Sequence, residues 1–119
     1  MALEIVLDTE TTGIDHRKGH RLIEVGCIEI EDLLPTGRTF HRYIDPEREI
    51  EPDAIRVHGI TNEMVRGKPK MESICDELIE FLGDRKIIAH NASFDRGFIN
   101  MELERHNRVA PPTEQWIDT

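Results

Sequence analysis

The sequence predicts an α/β domain in which a mixed sheet of five strands is flanked by helices. Short runs of β-branched and apolar residues recur along the chain, and polar turn residues bound them. Longer stretches between these runs repeat their apolar residues at the spacing of an amphipathic helix. The resulting order is strand, two strands, two helices, strand, helix, strand. Elements in this order pack as a sheet with helices on its faces.

The first three strands are predicted in the N-terminal part of the chain. The apolar run at 3–9 leads into a polar turn, and a charged loop at 15–21 follows it. The run at 22–31 is predicted as the second strand, 34–37 (LPTG) as a turn, and 38–45 as the third strand. Two adjacent strands joined by a short turn form a β-hairpin.

Two helices are predicted in the middle of the chain. A short helix is expected at 53–57, and Gly59 breaks it. From 71 to 82 the apolar residues follow helical spacing on one face, and Gly83 suits the C-terminal cap. We therefore expect this longer helix to bury one face.

A third helix, the second long one, is predicted between two short strands at 86–90 and 114–118. Asn91 or Ser93 is expected to cap this helix, which extends to about Asn107. Pro111 and Pro112 end the segment that contains it. The inward-facing residues are expected to be Phe94, Phe98 and Met101.

Gly97 is unusual because it lies inside this predicted helix. Glycine in a helix interior costs about 1 kcal/mol relative to alanine. We therefore expect a packing reason for a residue without a side chain at this position.

Composition and charge restrict the classes of function. The chain of 119 residues fits one domain, and its net charge of −9 argues against a protein that coats long duplexes. No apolar run reaches the roughly 18 residues of a membrane span, and the N-terminus lacks the pattern of a secretory signal. We expect a cytoplasmic protein in which Cys27 and Cys75 are buried, reduced thiols.

Two carboxylates stand at the end of the first predicted strand. Residues i and i+2 of a strand share a face, so Asp8 and Glu10 project together and repel each other unless a cation lies between them. Hard oxygen ligands of this kind suit Mg²⁺ or Mn²⁺. The pair alone also fits a solvated strand end that carries two surface acids.

A second acidic position follows the strand at 86–90. Asp95 lies in the first turn of the next predicted helix, where the helix dipole favours an anion. Alone, Asp95 fits a residue that stabilises the helix start, and His90 fits a structural histidine. The remaining motif-free histidines are expected at the surface: His16, His20, His41 and His106.

Three motifs together resemble one enzyme family. "DTETTG" at 8–13, "VHGIT" at 57–61 and "HNASFD" at 90–95 are similar to the motifs of the DEDD 3′–5′ exonucleases. The resemblance runs along the whole chain and is greatest to the members that proofread for bacterial replicative DNA polymerases. It implies a ribonuclease-H-like fold and two divalent metal ions, Mg²⁺ or Mn²⁺.

The resemblance also implies roles for individual residues. Asp8, Glu10 and Asp95 would be the catalytic metal ligands and would face the substrate. The remaining substrate contacts would be made by residues near the terminal nucleotide. These are Thr11, Asp53, Val57, His58 and Phe94.

The family's chemistry explains why two acids would end a buried strand. Two metal ions about 3.5–4 Å apart can flank a scissile phosphate, one activating a water and the other stabilising the leaving oxygen. The expected product is a 5′-mononucleotide from a single-stranded or frayed DNA 3′ end. The expected partners are the polymerase's catalytic subunit and its sliding clamp, bound through segments outside these residues.

The chain departs from the family in one motif. Family members carry a general-base histidine and a fourth metal-binding aspartate, usually as H-x-x-x-x-D on a late helix, and no such pattern follows His106. We therefore expect residues 1–119 to be the N-terminal part of an exonuclease domain, ending before its last helices. We expect this part alone to be weakly active or inactive.

Two other hypotheses remain open at this point. One is a related 3′ exonuclease that acts on RNA ends, although "DTETTG" followed by "VHGIT" favours the DNA enzymes. The other is a metal-poor domain that serves as a binding scaffold. A scaffold would show no saturable Mn²⁺ site, so a Mn²⁺ titration distinguishes it from both nucleases.

Overall fold

Five strands form a single mixed sheet in the computed structural model, which describes residues 2–119. The sheet order is β3-β2-β1-β4-β5, with β1 antiparallel to β2 and parallel to β4. The predicted α/β class and the number of strands are therefore confirmed. The strands are β1 Leu3–Thr11, β2 Leu22–Glu31, β3 Leu34–Tyr43, β4 Lys86–Ala89 and β5 Trp116–Asp118.

Four α-helices connect these strands, together with two short 3₁₀ turns at His16–Lys18 and Thr113–Gln115. The predicted boundaries of the helix Met71–Leu82 are correct at both ends, and the sequence did not predict the short helix Asn62–Val65. No helix among residues 2–119 is long and apolar enough to cross a membrane. The helices are α1 Pro52–His58, α2 Asn62–Val65, α3 Met71–Leu82 and α4 Ala92–Arg105.

The hairpin turn lies earlier than the sequence predicts. Asp32 and Leu33 form it, with φ of +52° and +70°, and the predicted turn at 34–37 belongs to β3 instead. A two-residue turn with both φ values positive matches the twist of the strands that it joins. Pro35 is tolerated because β3 is an edge strand.

The core lies on one face of the sheet, under α3 and α4. Ile5 and Leu7 of β1 are buried with Leu78 and Phe98 from these helices. On the opposite face, Val6 of β1, Ile28 of β2 and Ile117 of β5 are between 37% and 44% exposed. The two faces of β1 therefore differ, and the open face is the one that also carries Asp8.

Both cysteines lie in the core as predicted. Cys27 and Cys75 are buried and form no disulfide. Burial raises the pKa of the Cys27 thiol to about 12, and burial also raises the pKa of Cys75. Thiols in this state are protonated at neutral pH and unreactive.

The start of α4 is capped from another part of the chain. Asn91 occupies the predicted cap position, but its φ is +59° and its side chain makes no capping hydrogen bond. The Asp118 carboxylate of β5 instead accepts a hydrogen bond from the Ala92 N–H, at 3.2 Å. Asp118 therefore fixes the first turn of α4 against the sheet.

The predicted packing reason for Gly97 is the imidazole of His16. A Cβ at position 97 would lie 2.7 Å from His16 Nε2, and the His16 ring also contacts the Phe98 ring edge-on, with 5.5 Å between centroids. Because His16 is half-buried against α4, the prediction of a surface histidine is wrong for it.

The surface prediction is also wrong for His20, which is 8% exposed. Its Nδ1 lies 2.9 Å from the Thr12 hydroxyl, and its ring occupies the space that a Cβ at Gly13 would need. The prediction is wrong for His106 too, since it is half-buried, whereas His41 is exposed as expected. Two of the four histidines therefore hold the β1–β2 connection in place, which no local pattern indicated.

The effect of Gly97→Ala should depend on His16. Alone, the substitution should lower the free energy of unfolding because the new methyl group collides with the imidazole. In a His16→Ala background it should raise that free energy by up to about 1 kcal/mol through helix propensity. Urea unfolding of the four proteins in this double-mutant cycle measures both effects. The same sign in both backgrounds would contradict the packing account.

Candidate active site

The two predicted carboxylates of β1 lie on the open face of the sheet. Burial alternates along β1, with Leu7 and Thr9 buried, Asp8 exposed and Glu10 half-buried. Asp8 and Glu10 therefore share a face, as predicted. The pairing with β2 shifts register between Glu10 and Thr11, so β1 is irregular where the acids end.

Asp95 lies beside the same end of β1, where its side chain contacts Thr9. It is 3% exposed, and its Oδ1 accepts a hydrogen bond from the Thr9 hydroxyl at 2.5 Å. Burial raises the pKa of Asp95, and the nearby charge of Asp8 raises it further, while the hydrogen bond from Thr9 acts in the opposite direction. Asp95 is therefore a buried acid whose ionisation is disfavoured.

The pKa of Glu10 is shifted in the same direction. Burial raises the pKa of Glu10 and His58 lowers it, while Asp8, Glu24 and Asp95 all raise it. Glu24 lies directly opposite Glu10 in the sheet. Burial and the neighbouring acids therefore both disfavour ionisation of Glu10, and His58 opposes them.

The chemistry of these carboxylates suits a divalent metal ion, but their positions in this structure do not form a complete site. Among residues 2–119, no three His, Cys, Asp or Glu side chains lie close enough to form a complete metal site. Asp95 faces Thr9, whereas Asp8 and Glu10 face the open side. Carboxylate oxygens are hard donors, and Mg²⁺ or Mn²⁺ bound between them relieves the repulsion between their charges. The donor chemistry of these residues therefore fits such an ion, whereas their side chains do not converge on one point in this structure.

A cavity of about 470 Å³ opens beside these acids. Six of the predicted site residues line it, whereas Asp8 and Asp95 do not. All the expected substrate contacts other than Asp8 therefore line one cavity together with Glu10, and the other two expected metal ligands lie outside its wall. The predicted residues in the cavity wall are Glu10, Thr11, Asp53, Val57, His58 and Phe94.

Two of these wall residues already have internal hydrogen-bond partners. The Thr11 hydroxyl donates to the Gly13 carbonyl at 2.6 Å. His58 Nε2 lies 3.1 Å from the Thr11 carbonyl, and the Ile60 N–H donates to His58 Nδ1 at 3.0 Å. His58 therefore ties the end of α1 to the end of β1.

Three other wall residues provide an apolar surface, and a fourth is an exposed acid. Val57 is 85% exposed and faces the cavity together with the half-buried ring of Phe94. Ile14, also 85% exposed, lines the same space, and the sequence analysis did not select it. Asp53 is exposed and forms an ion pair with Arg56 on the same helix.

A buried ion pair lies next to the site, and the sequence did not predict it. Arg21 donates two hydrogen bonds to Glu102, at 2.9 and 2.8 Å, and the Leu22 N–H donates to the same carboxylate at 3.1 Å. These hydrogen bonds raise the pKa of Arg21. Glu102 lies two helical turns after Asp95 in α4. The pair therefore fixes α4 against β2 and sets the position of Asp95.

Comparison with known proteins agrees with this geometry. A family model described as "Exonuclease" matches residues 5–119. DNA polymerase III subunit epsilon of Rickettsia felis is 53% identical over 106 residues, covering 89% of this chain and 46% of that protein. The Escherichia coli subunit epsilon is 40% identical over 114 residues, covering 92% and 47%. The chain thus spans about half the length of these curated relatives.

Solved structures share the fold. A structure titled "Exonuclease X in complex with 5′ overhanging duplex DNA" superposes with a TM-score of 0.71 at 29% identity, covering 96% of this chain and 58% of that one. Apo exonuclease I reaches a TM-score of 0.85 at 17% identity, covering 99% and 29%, which shows the fold alone. The sheet and its helices therefore have the ribonuclease-H-like fold of exonucleases. The chain belongs to the DEDD 3′–5′ exonuclease family that its motifs resemble.

Proposed function

We propose that this chain is the nuclease part of a DNA polymerase III proofreading subunit, which removes 5′-mononucleotides from DNA 3′ ends. One observation carries the proposal: Asp8, Glu10 and Asp95 gather at one end of β1, next to a cavity with apolar walls. The relatives named subunit epsilon support the choice of DNA over RNA.

The cavity suits the end of a single strand. Val57, Phe94 and Ile14 offer apolar faces on which a terminal base can stack, and stacking on apolar and aromatic side chains does not depend on the base. A mispaired end leaves the duplex with little loss of pairing energy, so it enters more readily than a paired end. Selection of the terminus therefore follows from cavity size and from the ease of fraying.

The carboxylates would hold two divalent metal ions, Mg²⁺ or Mn²⁺. When bound, such ions supply an activated water and stabilise the charge on the leaving 3′ oxygen. Asp8 and Glu10, on a rigid strand, keep their positions better than loop residues would. The hydrogen bond from Thr9 holds Asp95 beside the same end of β1.

The proposed partners would bind mainly through parts of the protein outside residues 1–119. By its similarity to subunit epsilon, the protein would work in the cytoplasm with the catalytic subunit of DNA polymerase III. Contact with the sliding clamp would involve other parts of the protein.

The decisive experiment follows the polarity of degradation. The protein in its full natural length is incubated with Mg²⁺ and a linear single strand, a duplex with a mispaired 3′ end, a matched duplex, or a circular single strand. We expect 5′-mononucleotides from the 3′ ends, fastest from single-stranded and mispaired ends. Cleavage of the circle at a comparable rate would overturn the proposal, and a preference for an RNA strand of the same sequence would redirect it.

A further inference from the structure

The connection between β1 and β2 forms one wall of the cavity. Residues 14–19, called here the 14–19 loop, lie between Gly13 and His20 in this connection. The Thr12 N–H donates to the Arg21 carbonyl at 2.9 Å, which closes the base of the loop. Close packing of Gly13 on the His20 ring makes this base rigid.

The loop is also ordered internally. The Asp15 carboxylate accepts a hydrogen bond from the Arg17 N–H at 2.9 Å, and the Lys18 N–H donates to the Asp15 carbonyl at 3.0 Å. Gly19 ends the turn with φ of +82°, a conformation that other residues adopt only with strain. Arg48 then donates to the Gly19 carbonyl at 2.9 Å. The backbone of Lys18 is therefore held on both sides.

A contact with α4 fixes the loop relative to the carboxylates. The His16 ring lies in the space left open by Gly97, two residues after Asp95 in the same helix. It also packs edge-on against Phe98. The loop, the start of α4 and the end of β1 thus form one packed unit, and the loop cannot move away from the cavity without losing these contacts.

The charges around the cavity make one loop residue stand out. Four acids line the space, whereas Lys18 is the one lysine or arginine in the wall formed by the described residues, 2–119. A nucleic-acid strand that enters brings a negative charge with every phosphate. Asp15 is already paired with Arg17 at 3.2 Å, so it competes little for the ammonium group. The four acids are Glu10, Asp15, Glu51 and Asp53.

We propose that Lys18 is a substrate-binding residue that contacts a backbone phosphate of the strand entering the cavity. The inference rests on the proposed function, because it requires a nucleic-acid strand in this space. Its role is affinity and not chemistry: Lys18 offsets the repulsion between the strand and the acidic wall. Because the loop backbone is already ordered, binding has to order only the Lys18 side chain and not the loop.

The test compares Lys18→Ala and Lys18→Arg with Lys68→Ala in the protein at its full natural length. Lys68 is an exposed lysine after α2 that does not line the cavity, so it controls for the loss of one surface charge. Initial rates of nucleotide release from a single-stranded oligodeoxynucleotide give KM and kcat at several NaCl concentrations. Fluorescence anisotropy with the same oligonucleotide in EDTA measures binding without hydrolysis.

We expect Lys18→Ala to raise KM about tenfold at low salt, as for the loss of a charged hydrogen bond, with kcat nearly unchanged. The slope of log KM against log salt should fall by about 0.7, the value for one phosphate contact on a single strand. Lys18→Arg should retain the slope, and Lys68→Ala should match the wild type. Equal KM values and slopes for Lys18→Ala and Lys68→Ala would overturn the inference.

The two proposals fail in different ways. If the wild type releases nucleotides and Lys18→Ala behaves like it, the nuclease function stands and the Lys18 contact is wrong. If anisotropy shows salt-dependent binding that requires Lys18 but no nucleotide is released, the contact stands and the nuclease function is wrong. If the wild type neither binds nor cleaves the strand, both are wrong.

Discussion

Asp95→Asn is expected to reduce nucleotide release more than about 100-fold while making the metal-free protein more stable at neutral pH. Loss of residues that merely support a metal ligand already costs about 10- to 100-fold in activity. A ligand itself should cost more. Asparagine keeps the oxygen that accepts the Thr9 hydrogen bond, so the local packing is retained.

The stability effect follows from the raised pKa of Asp95. Because burial raises that pKa in the folded state, the contribution of Asp95 to folding is present below the unfolded pKa and is lost as pH rises through the folded value. At pH 7 the ionised carboxylate therefore destabilises the folded protein, and the neutral amide removes this effect. The gain should disappear as pH falls towards about 4, where unfolded aspartate titrates.

Two measurements check this prediction. Urea unfolding with EDTA at several pH values compares Asp95→Asn with the wild type, and nucleotide release with Mg²⁺ compares their rates. Asp84→Asn is the matched control, because Asp84 is an exposed acid that does not line the cavity. A stability gain that does not change with pH would contradict the electrostatic origin of the effect.

Glu102→Ala should lower the free energy of unfolding by about 3–5 kcal/mol, as expected when one partner of a buried ion pair is removed. Glu102 is 0% exposed, and its loss leaves the Arg21 guanidinium and the Leu22 N–H without their acceptor. Such a loss is a large part of the 5–15 kcal/mol that stabilises an ordinary domain. Chemical denaturation measures it.

A double variant separates the lost ion pair from lost packing. Arg21→Met with Glu102→Leu replaces both charges by apolar groups of similar size, and it should recover most of the stability. Glu29→Gln is a second control, because Glu29 is another buried acid, paired with Arg38 at 2.9 Å at the other end of the sheet. A loss below about 1 kcal/mol for Glu102→Ala would show that the pair does not stabilise α4.

Local patterns were sufficient for most elements of the fold. The helix at 71–82 was predicted with both ends correct because its apolar face is repeated over three turns and Gly83 ends it. The hairpin turn was predicted too late because Pro35 and Gly37 are strong turn residues. An edge strand accommodates both, and Gly37 does so with φ of +98°. Position in the sheet outweighed the local signal there.

The candidate site shows the same division between local and distant information. Asp8 and Glu10 were placed on one face by the two-residue period of a strand, and that is where they lie. The partners of Arg21 and Asp95 are 81 and 86 residues away, so no local pattern could reveal them. The contact between His16 and Gly97 was signalled only by a glycine inside a helix.

Binding of Mn²⁺ tests the central claim most directly, namely that the β1 carboxylates and Asp95 form a divalent-metal site. Free Mn²⁺ is measured by electron paramagnetic resonance during titration of the wild type, Asp8→Asn, Asp95→Asn and Asp53→Asn. We expect saturable binding in the wild type and in Asp53→Asn, and at least about tenfold weaker binding in the other two variants. Binding that is equally strong in Asp8→Asn and the wild type, or absent from the wild type, would contradict the account.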